Sequence, residues 1–515
     1  MEPYNLINAQ FINLSNQVAP IASLTIVDGK IDAINAINHK FKTIDLNGDV
    51  VIPGFIDAHF HLKNFGKRLS QLNLKNIKDL QIIKTMIVDK LKTINHGEWL
   101  IGYGWDQNLW NEQAFPNKDI LNEISPNNPI YLTRVDGHSA WINQCALKKI
   151  NKDEREIQSV EGGDFINQCI LIDNAMNVFK KHLPSESIHD IKKWIKLAIK
   201  KTAEMGITGV HDAWQDRKTI QAIKELIDNN EFPIRCYGML AGNDTDLLNE
   251  YFKSGHLNSP YLNIRSVKAF IDGALGSRGA ALKEAYCDDE NNCGLILISK
   301  EEFSNLIKQC YKHNFQLNTH AIGDRGNQYV LNLYKNVLQK SNNRRWRIEH
   351  AQMVDDDDIN MFKDYSILPS MQPSHCTSDM KWLKQRIGEN RLKLISRWNS
   401  FLKLNIPIPG GSDCPIETGN PLFEFYAAVT RQDHQGFPKG GWQPQEKINH
   451  IQALKMFTTW AAYGGFQEDR RGKLDVGFDA DFTVLSDNIL DMQDLQILDL
   501  KIKKTIVNGR FVYEQ

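Results

Sequence analysis

Six side chains able to bind a metal ion or carry a proton stand near the ends of short apolar segments in this 515-residue chain. His59 and His61 lie two residues apart in the stretch VIPGFIDAHFHL, residues 51–62. Residues two apart on a strand point to the same side, so this pair can converge on one ion. Taken alone, a His-x-His pair is a weak signal, because histidine has many structural uses. Whether this pair binds a metal therefore depends on the other residues of the chain.

The other four side chains occupy comparable positions. Lys268 lies in SVKAFIDG, and the segments QLNTH, RIEH and PGGSD end with His320, His350 and Asp413. If these segments are parallel strands of one barrel, imidazoles, a carboxylate and an amine converge at one face, as they do in metal and catalytic sites. An ammonium beside divalent cations would be repelled. Lys268 therefore either becomes neutral, for example as a carbamate that bridges two metals, or pairs with Asp272.

Eight apolar segments alternate with helical patterns, which favours an α/β fold of the TIM, or (β/α)8 barrel, type. We predict strands near residues 55–61, 207–213, 234–240, 266–273, 315–321, 347–352, 367–373 and 406–413. The gap between the first two strands is far longer than one helix requires. Residues of about 63–185 are therefore predicted to form a large insertion, a cap that helps build the substrate pocket.

Both ends of the chain show hairpin signals. Asp-Gly at 28–29 and Asn-Gly at 508–509 each separate two β-rich runs. We predict a small, discontinuous β-sandwich domain from residues 1–52 and 472–515. It flanks the predicted barrel, which spans residues 53–471.

The composition of the chain argues against several classes of binding partner. With 61 basic and 62 acidic side chains, the net charge of -1 provides no bulk field for nucleic acid or an anionic membrane. No apolar run approaches the ~18 residues of a membrane helix, and the eight cysteines are scattered without a CxxC pair. We predict a cytoplasmic protein that binds a small-molecule substrate and neither nucleic acid nor membrane. The sequence does not determine the oligomeric state; a homodimer is one candidate, since barrels of this type often pair.

Motifs along nearly the whole chain resemble one known family. They include PGFIDAHFHL, GYGWDQNLW, RVDGHSAWIN, KAFIDGALGSRGAAL, THAIGDRGN, RIEHAQM, SMQPSHCTSDMKW, GGSDCPIE and GKLDVGFDADFTVL. As a set they resemble the metal-dependent amidohydrolase superfamily, and within it the amidohydrolase-3 branch that includes N-substituted formamide deformylases. The resemblance implies a TIM barrel with a split β-sandwich and a centre of one or two divalent metals, usually zinc.

The same resemblance assigns roles to the six side chains. A first, more buried metal would be bound by His59, His61 and Asp413. A second metal would be bound by His320 and His350, with an N6-carboxylated Lys268 bridging the two. Asp413 would also transfer protons.

These expectations together predict an amidohydrolase that cleaves the C–N bond of a small amide with a metal-activated hydroxide. An N-substituted formamide, or a related N-acyl compound, is the first candidate. An esterase or lactonase and a deaminase of the same superfamily are alternatives, although Gly323 stands where such deaminases typically carry a glutamate. A metal-free scaffold protein is the alternative that is not an enzyme.

Further side chains are candidates for the substrate pocket. We predict that His138 or His375 hydrogen-bonds the substrate oxygen, with Asp106 nearby; ordering of loops is the alternative. Trp105 could line an apolar pocket or belong to the core of the insertion. Arg278 could bind a substrate carboxylate or order its loop.

Overall fold

The structure is a computed structural model and describes residues 2–14, 20–184 and 186–515. The remaining positions fall within the predicted sandwich and insertion and lie outside the described residues. The chain divides into two compact units. One comprises residues 1–65 and 195–515, and the other comprises residues 66–194, which the predicted insertion of about 63–185 largely covers.

Seven parallel strands of the larger unit form a nearly closed barrel sheet. In chain order they are β1 (Phe55–Phe60), β2 (Ile207–Gln215), β3 (Arg235–Ala241), β4 (Leu262–Phe270), β5 (Gln316–Ala321), β6 (Arg347–His350) and β7 (Leu368–Ser370). Each strand pairs in parallel with the next one along this series. Their residues are almost all buried, as in sheets covered on both faces. The predicted α/β barrel is confirmed at this level.

The eighth barrel position holds an irregular segment, so the predicted strand at 406–413 is wrong as a regular element. Backbone N–H groups of Ala58 and Asp413 donate to Gly410 and His59 carbonyls at 2.8 Å, and Gly411 donates to Met371 at 3.1 Å. These bonds join the segment to β1 on one side and to the end of β7 on the other. Asp413 has a φ of 57°, which is left-handed and cannot continue a strand.

Gly411 stands where this segment touches β1. A Cβ atom at this position would lie 2.4 Å from the His59 nitrogen and 2.8 Å from Asp57 Oδ1. We expect Gly411→Ala to lower the free energy of unfolding by about 1–3 kcal/mol, because neither group can retreat from the buried barrel wall. Gly276→Ala is the matched control, since its nearest neighbour would be 3.5 Å away. Equal urea midpoints for the two variants would contradict this account.

Helices of the larger unit follow and cover the barrel strands. They are Ile188–Glu204, which begins in the smaller unit, Arg217–Asp228, Thr245–Ser254, Lys300–Lys312, Asp324–Tyr334, Ile359–Asp364, Pro373–Asp379, Leu383–Arg391, Trp398–Lys403, Pro421–Thr430, His450–Met456 and Thr459–Gly464. Local signals start several of them; Ser299 and Glu302, for example, form a capping box. Of the helices in the described part of the chain, none is long and apolar enough to cross a membrane.

Two further sheets of the larger unit come from the chain ends. One has four strands, Tyr4–Ile7, Ser23–Val27, Lys30–Ile34 and Lys42–Asp45. The other combines both termini in five strands, Gln10–Phe11, Val50–Pro53, Phe482–Leu485, Ile502–Val507 and Arg510–Glu514. One buried cluster contains apolar side chains of both sheets, including Leu24 and Val484. Shared burial of apolar area is what holds two such layers together.

The unit of residues 66–194 has a sheet of its own. Its six strands are Leu72–Asn73, Leu100–Trp105, Ile130–Arg134, Ser139–Ile142, Gly163–Ile166 and Ile170–Asp173. The helices Leu80–Leu91, Lys118–Ile124, Gln144–Lys149, Glu154–Gln158 and Asn174–Lys180 accompany it, and Leu62–Ser70 enters it from the larger unit. Trp105, Trp110 and Trp141 pack together in one of its cores, with ring centroids 6.0–6.3 Å apart.

Candidate metal centre

The six side chains singled out in the sequence converge within the larger unit. Ligand atoms of His59, His350 and Asp413 all lie within 4.8 Å of one another. The Nε2 atom of His61 is 3.1 Å from Asp413 Oδ1. Lys268 Nζ is 3.5 Å from His59 Nε2, and the ring centroids of His320 and His350 are 4.5 Å apart. Five chain segments thus bring imidazole, carboxylate and amine groups into one cluster.

Burial favours the neutral form of the His59, His320 and His350 imidazoles, because it lowers the pKa of each. It lowers the pKa of His320 to about 3 and that of His350 well below the usual value, with the nearby charges acting as smaller influences. A neutral imidazole has a lone pair available, which is the form that binds a metal ion. For Asp413, burial favours the acid, but the adjoining His59 and His61 rings hold the pKa of its carboxyl well below the usual range.

Glu349 orients the His59 ring through the ring nitrogen that faces away from the cluster. Its Oε2 atom accepts a hydrogen bond from His59 Nδ1 at 2.5 Å, which leaves His59 Nε2 free to face the cluster. Burial alone would raise the pKa of Glu349, but His59, Arg347 and Lys268 outweigh it and bring that pKa to about 2. A carboxylate behind a ligating histidine fixes the ring and makes it more basic.

We expect Glu349→Gln to weaken divalent-metal binding by about 10–100-fold, the range found when such supporting groups are changed. The amide keeps the size of the carboxylate but carries no charge to hold the Nδ1–H of His59. The measurement is competition with a chromophoric chelator on the purified variant. Glu290→Gln changes an exposed loop residue and serves as the control. Identical metal affinities for both variants would remove Glu349 from the centre.

His350 and His320 complete the cluster from β6 and β5. Gln372 Oε1 lies 2.8 Å from His350 Nδ1, so the amide oxygen accepts from that nitrogen when it is protonated. His350 has a φ of 75°, a left-handed conformation that non-glycine residues rarely adopt and that is often found at functional sites. The buried Nε2 of His320 makes no hydrogen bond among the described residues, and Asp272 Oδ1 lies 3.5 Å from it.

Lys268 is buried and does not pair with Asp272, the alternative partner that was predicted from the sequence. Asp272 instead accepts hydrogen bonds from the backbone nitrogens of Ala281, Ile322 and Gly323 at 2.8–2.9 Å. Burial lowers the pKa of Lys268 to about 8. Its amine is therefore neutral far more often than that of an exposed lysine at the same pH.

His375 also reaches the cluster. It lies on the helix Pro373–Asp379 that follows β7, and its Nε2 atom is 3.8 Å from Asp413 Oδ2. Its ring stacks on that of His350 with centroids 5.9 Å apart. The Nε2 atom has no hydrogen-bond partner among the described residues. A substrate oxygen could receive a hydrogen bond there, and this role stays a prediction.

Three other predicted pocket residues belong to the unit of residues 66–194. The side chain of His138 is 78 % exposed, and its Nδ1 atom lies 2.8 Å from Asp173 Oδ1. Asp106 accepts from Arg134 at 2.8 Å. Trp105 is fully buried, and its indole donates to the Leu132 carbonyl at 2.7 Å. Within their own unit, Asp106 and Trp105 have the contacts that loop ordering and core packing require.

Arg278 lies in the loop after β4. It donates two hydrogen bonds to Asp288, at 3.1 and 3.0 Å, in the forked geometry of a guanidinium on a carboxylate. Its φ of 56° is left-handed. These contacts match the loop-ordering alternative, and substrate binding by Arg278 stays a prediction.

Supporting residues were missed by the sequence reasoning. Glu349 directly precedes His350 in RIEH, and Asp57 lies two residues before His59 in FIDAHFH. Asp57 accepts from the backbone nitrogens of His59 and Ser412 at 3.0 and 3.1 Å, and so joins β1 to the closing segment. Charged residues inside apolar strands were the available signal, because buried charges are rarely left without a partner.

Comparison with known proteins identifies the family. The model described as "Amidohydrolase family" matches residues 42–513. This chain belongs to the amidohydrolase family. The protein YtcJ of Bacillus subtilis (strain 168) is 31 % identical over 485 residues, covering 92 % of this amidohydrolase and 91 % of YtcJ.

Two further similarities are to a deformylase and to a metal-dependent hydrolase of known structure. The N-substituted formamide deformylase of Arthrobacter pascens is 24 % identical over 520 residues, which cover 96 % of this amidohydrolase and 93 % of the deformylase. The crystal structure of an uncharacterized metal-dependent hydrolase from Pyrococcus furiosus superposes with a TM-score of 0.79 at 25 % identity. That match covers 95 % of this chain and 100 % of the other. This amidohydrolase is therefore an enzyme of metal-dependent C–N bond hydrolysis.

Proposed function

We propose that this amidohydrolase cleaves the C–N bond of a small N-substituted amide, with an N-substituted formamide as the first candidate. The observation that carries the proposal is the convergence of His59, His350 and Asp413 within 4.8 Å, inside a barrel of the amidohydrolase family. The similarity to a formamide deformylase supports the choice of amide.

The residues present fit one or two divalent ions, and zinc is the first choice. Neutral imidazoles and a carboxylate suit Zn²⁺. A bound zinc ion would acidify water and polarise a carbonyl oxygen. His59, His61 and Asp413 would hold the first ion, with His320 and His350 holding the second. Lys268 would join them as a carbamate, for which its readily deprotonated amine is suited.

The protein's own part in the reaction is orientation and proton transfer. The Asp413 carboxylate accepts the proton of the attacking water and then donates it to the leaving nitrogen. Its Oδ1 atom lies 3.1 Å from the Nε2 of His61, so the carboxylate faces the cluster. The nearby Nε2 of His375 hydrogen-bonds the substrate oxygen. Glu349 and Gln372 keep the rings of His59 and His350 in place.

Two aromatic side chains provide a place for the substituent on nitrogen. Trp214 and Phe270 are half-buried at the ends of β2 and β4, with ring centroids 5.3 Å apart. Phe270 also lies 5.2 Å from the His320 ring. Apolar groups beside convergent polar ones are typical of small-molecule sites. An apolar N-substituent would pack against this pair.

A deaminase is disfavoured by the space at Gly323. A side chain there would place its Cβ atom 2.0 Å from the Ala281 carbonyl oxygen. The glutamate expected of ring deaminases therefore has no room at this position. An esterase or lactonase differs only in the bond cleaved.

The deciding experiment is a panel of N-substituted formamides, longer N-acyl amines, cyclic amides and esters, assayed with the zinc-loaded enzyme. We expect the highest kcat/KM for a formamide with an apolar substituent, and a loss of that preference in Trp214→Ala. An ester or lactone as the best substrate would reject the proposal. So would equal rates for polar and apolar substituents.

A further inference from the structure

The unit of residues 66–194 contains a cavity of about 770 Å³. All of the residues that line it belong to this unit, and none of them is in the metal centre. Pockets that bind small molecules measure roughly 300–1,000 Å³. The cavity is therefore large enough for an organic ligand.

Basic groups predominate on its wall. The lining lysines are Lys67, Lys90, Lys149, Lys180 and Lys193. Two carboxylates, Glu98 and Asp190, also line it, but each already has local partners. Glu98 accepts from the backbone and side chain of Asn95, and Asp190 accepts from the Ser187 hydroxyl at 2.5 Å. The wall thus carries an excess of positive charge.

Lys90 and Lys193 lie close enough to repel each other at this wall. Among the described residues, neither makes a direct ion pair, and Glu98 is near enough to interact with Lys193 only over a longer range. Burial, followed by the charge of Lys193, lowers the pKa of Lys90. Two cations that repel each other at a cavity wall would both be stabilised by an anion.

The rest of the cavity wall is largely apolar. Ile94, Trp99, Met176 and Leu183 line it together with Tyr131. Tyr131 is 3 % exposed, and its hydroxyl has no hydrogen-bond partner in the described part of the chain. A buried hydroxyl without a partner is costly, and a polar ligand atom would satisfy it.

We propose that this cavity binds an organic anion with an apolar tail, namely a medium-chain carboxylate. The lysine ammonium groups attract the carboxylate, Tyr131 donates a hydrogen bond to it, and the alkyl tail packs on the apolar wall. Lys67 is already paired with Glu186 at 2.7 Å, and the remaining four lysines and two carboxylates of the wall leave a small positive excess for an anion. The proposal concerns binding and is independent of the substrate proposed for the metal centre.

Calorimetric titration of the full-length, zinc-loaded enzyme with octanoate tests the proposal. We expect a Kd of about 1 mM or lower, since a ligand of this size can supply about 4 kcal/mol. Neither inorganic phosphate, which lacks the tail, nor 1-octanol, which lacks the charge, is expected to bind as tightly. Lys90→Gln combined with Lys193→Gln should raise the octanoate Kd about tenfold.

Two further variants separate this site from others. Tyr131→Phe removes only the hydroxyl and should raise the octanoate Kd about threefold to tenfold. Lys84→Gln, on the same helix as Lys90 but outside the cavity wall, should leave the Kd unchanged. Octanoate binding that the double lysine variant leaves intact would place the carboxylate elsewhere, including on the metal, and overturn the proposal. No saturable binding up to about 10 mM, or equal binding of phosphate or octanol, would overturn it as well.

Discussion

Replacing Asp413 by Asn lowers kcat by about 10²–10⁴-fold, the range expected when a group that transfers protons is removed. The amide can still place an oxygen near His61 and His59, so the variant should fold and retain most of its metal. It cannot accept the proton of the attacking water. The measurements are kcat for the best substrate of the panel and metal content by mass spectrometry.

Asp364→Asn is the control for this prediction. Asp364 is exposed and pairs with Lys340 on the surface, at 2.9 Å. Its replacement should change neither kcat nor metal content. If Asp413→Asn kept near-normal turnover, proton transfer would belong to another group, and His375 would be the next to test.

Replacing His59 by Ala is expected to have two large effects. Metal affinity should fall by more than the roughly 100-fold that changes in supporting residues cause, because a ligand itself is lost. The free energy of unfolding should fall by about 3 kcal/mol, because Glu349 is left buried with its charge and without its closest partner. Arg347 remains 3.7 Å from Glu349 and still compensates part of its charge. The expected loss of unfolding free energy is therefore at the low end of the range for a broken buried ion pair. Metal titration and denaturant unfolding of the metal-free proteins measure the two effects separately.

A double variant distinguishes these two effects. His59→Ala combined with Glu349→Gln removes the buried charge, so the unfolding midpoint of the metal-free protein should recover in large part. Metal binding should stay lost. If the unfolding midpoint did not recover in the double variant, the cavity left by the His59 ring, and not the charge on Glu349, would be the cause of the instability.

The barrel could be predicted because its strands are short, apolar and separated by helical patterns. Seven of the eight predicted segments overlap the strands that the structure shows, with differences at their ends that are largest for β4, which begins at Leu262. The eighth could not be predicted as irregular, because IPIPG is as apolar as any true strand. What decides its conformation is the contact of Gly411 and Asp413 with β1, and a contact between distant segments leaves no local pattern.

The convergence of the six side chains was predictable for a related reason. Residues at the carboxyl ends of parallel strands must meet, so position along a strand determined which histidines converge. Supporting groups such as Gln372 were not predictable, because their role depends on ring orientation. The tryptophans of the insertion show the opposite failure: Trp105 could be assigned to a pocket or a core by sequence, and only its packing against Trp110 and Trp141 shows where it lies.

The irregular closing segment makes one side of the ring different from the others. Between β7 and β1 the wall is held by separate backbone hydrogen bonds donated by Ala58, His61, Met371, Gly411 and Asp413, whereas each of the other junctions pairs two regular strands. This seam is where the ring should open first and where amide protons should exchange soonest. Asp413 and His59 lie on opposite sides of this junction. An ion bound by both residues would therefore hold the junction closed. Loading the metal and locking the barrel would then be a single event.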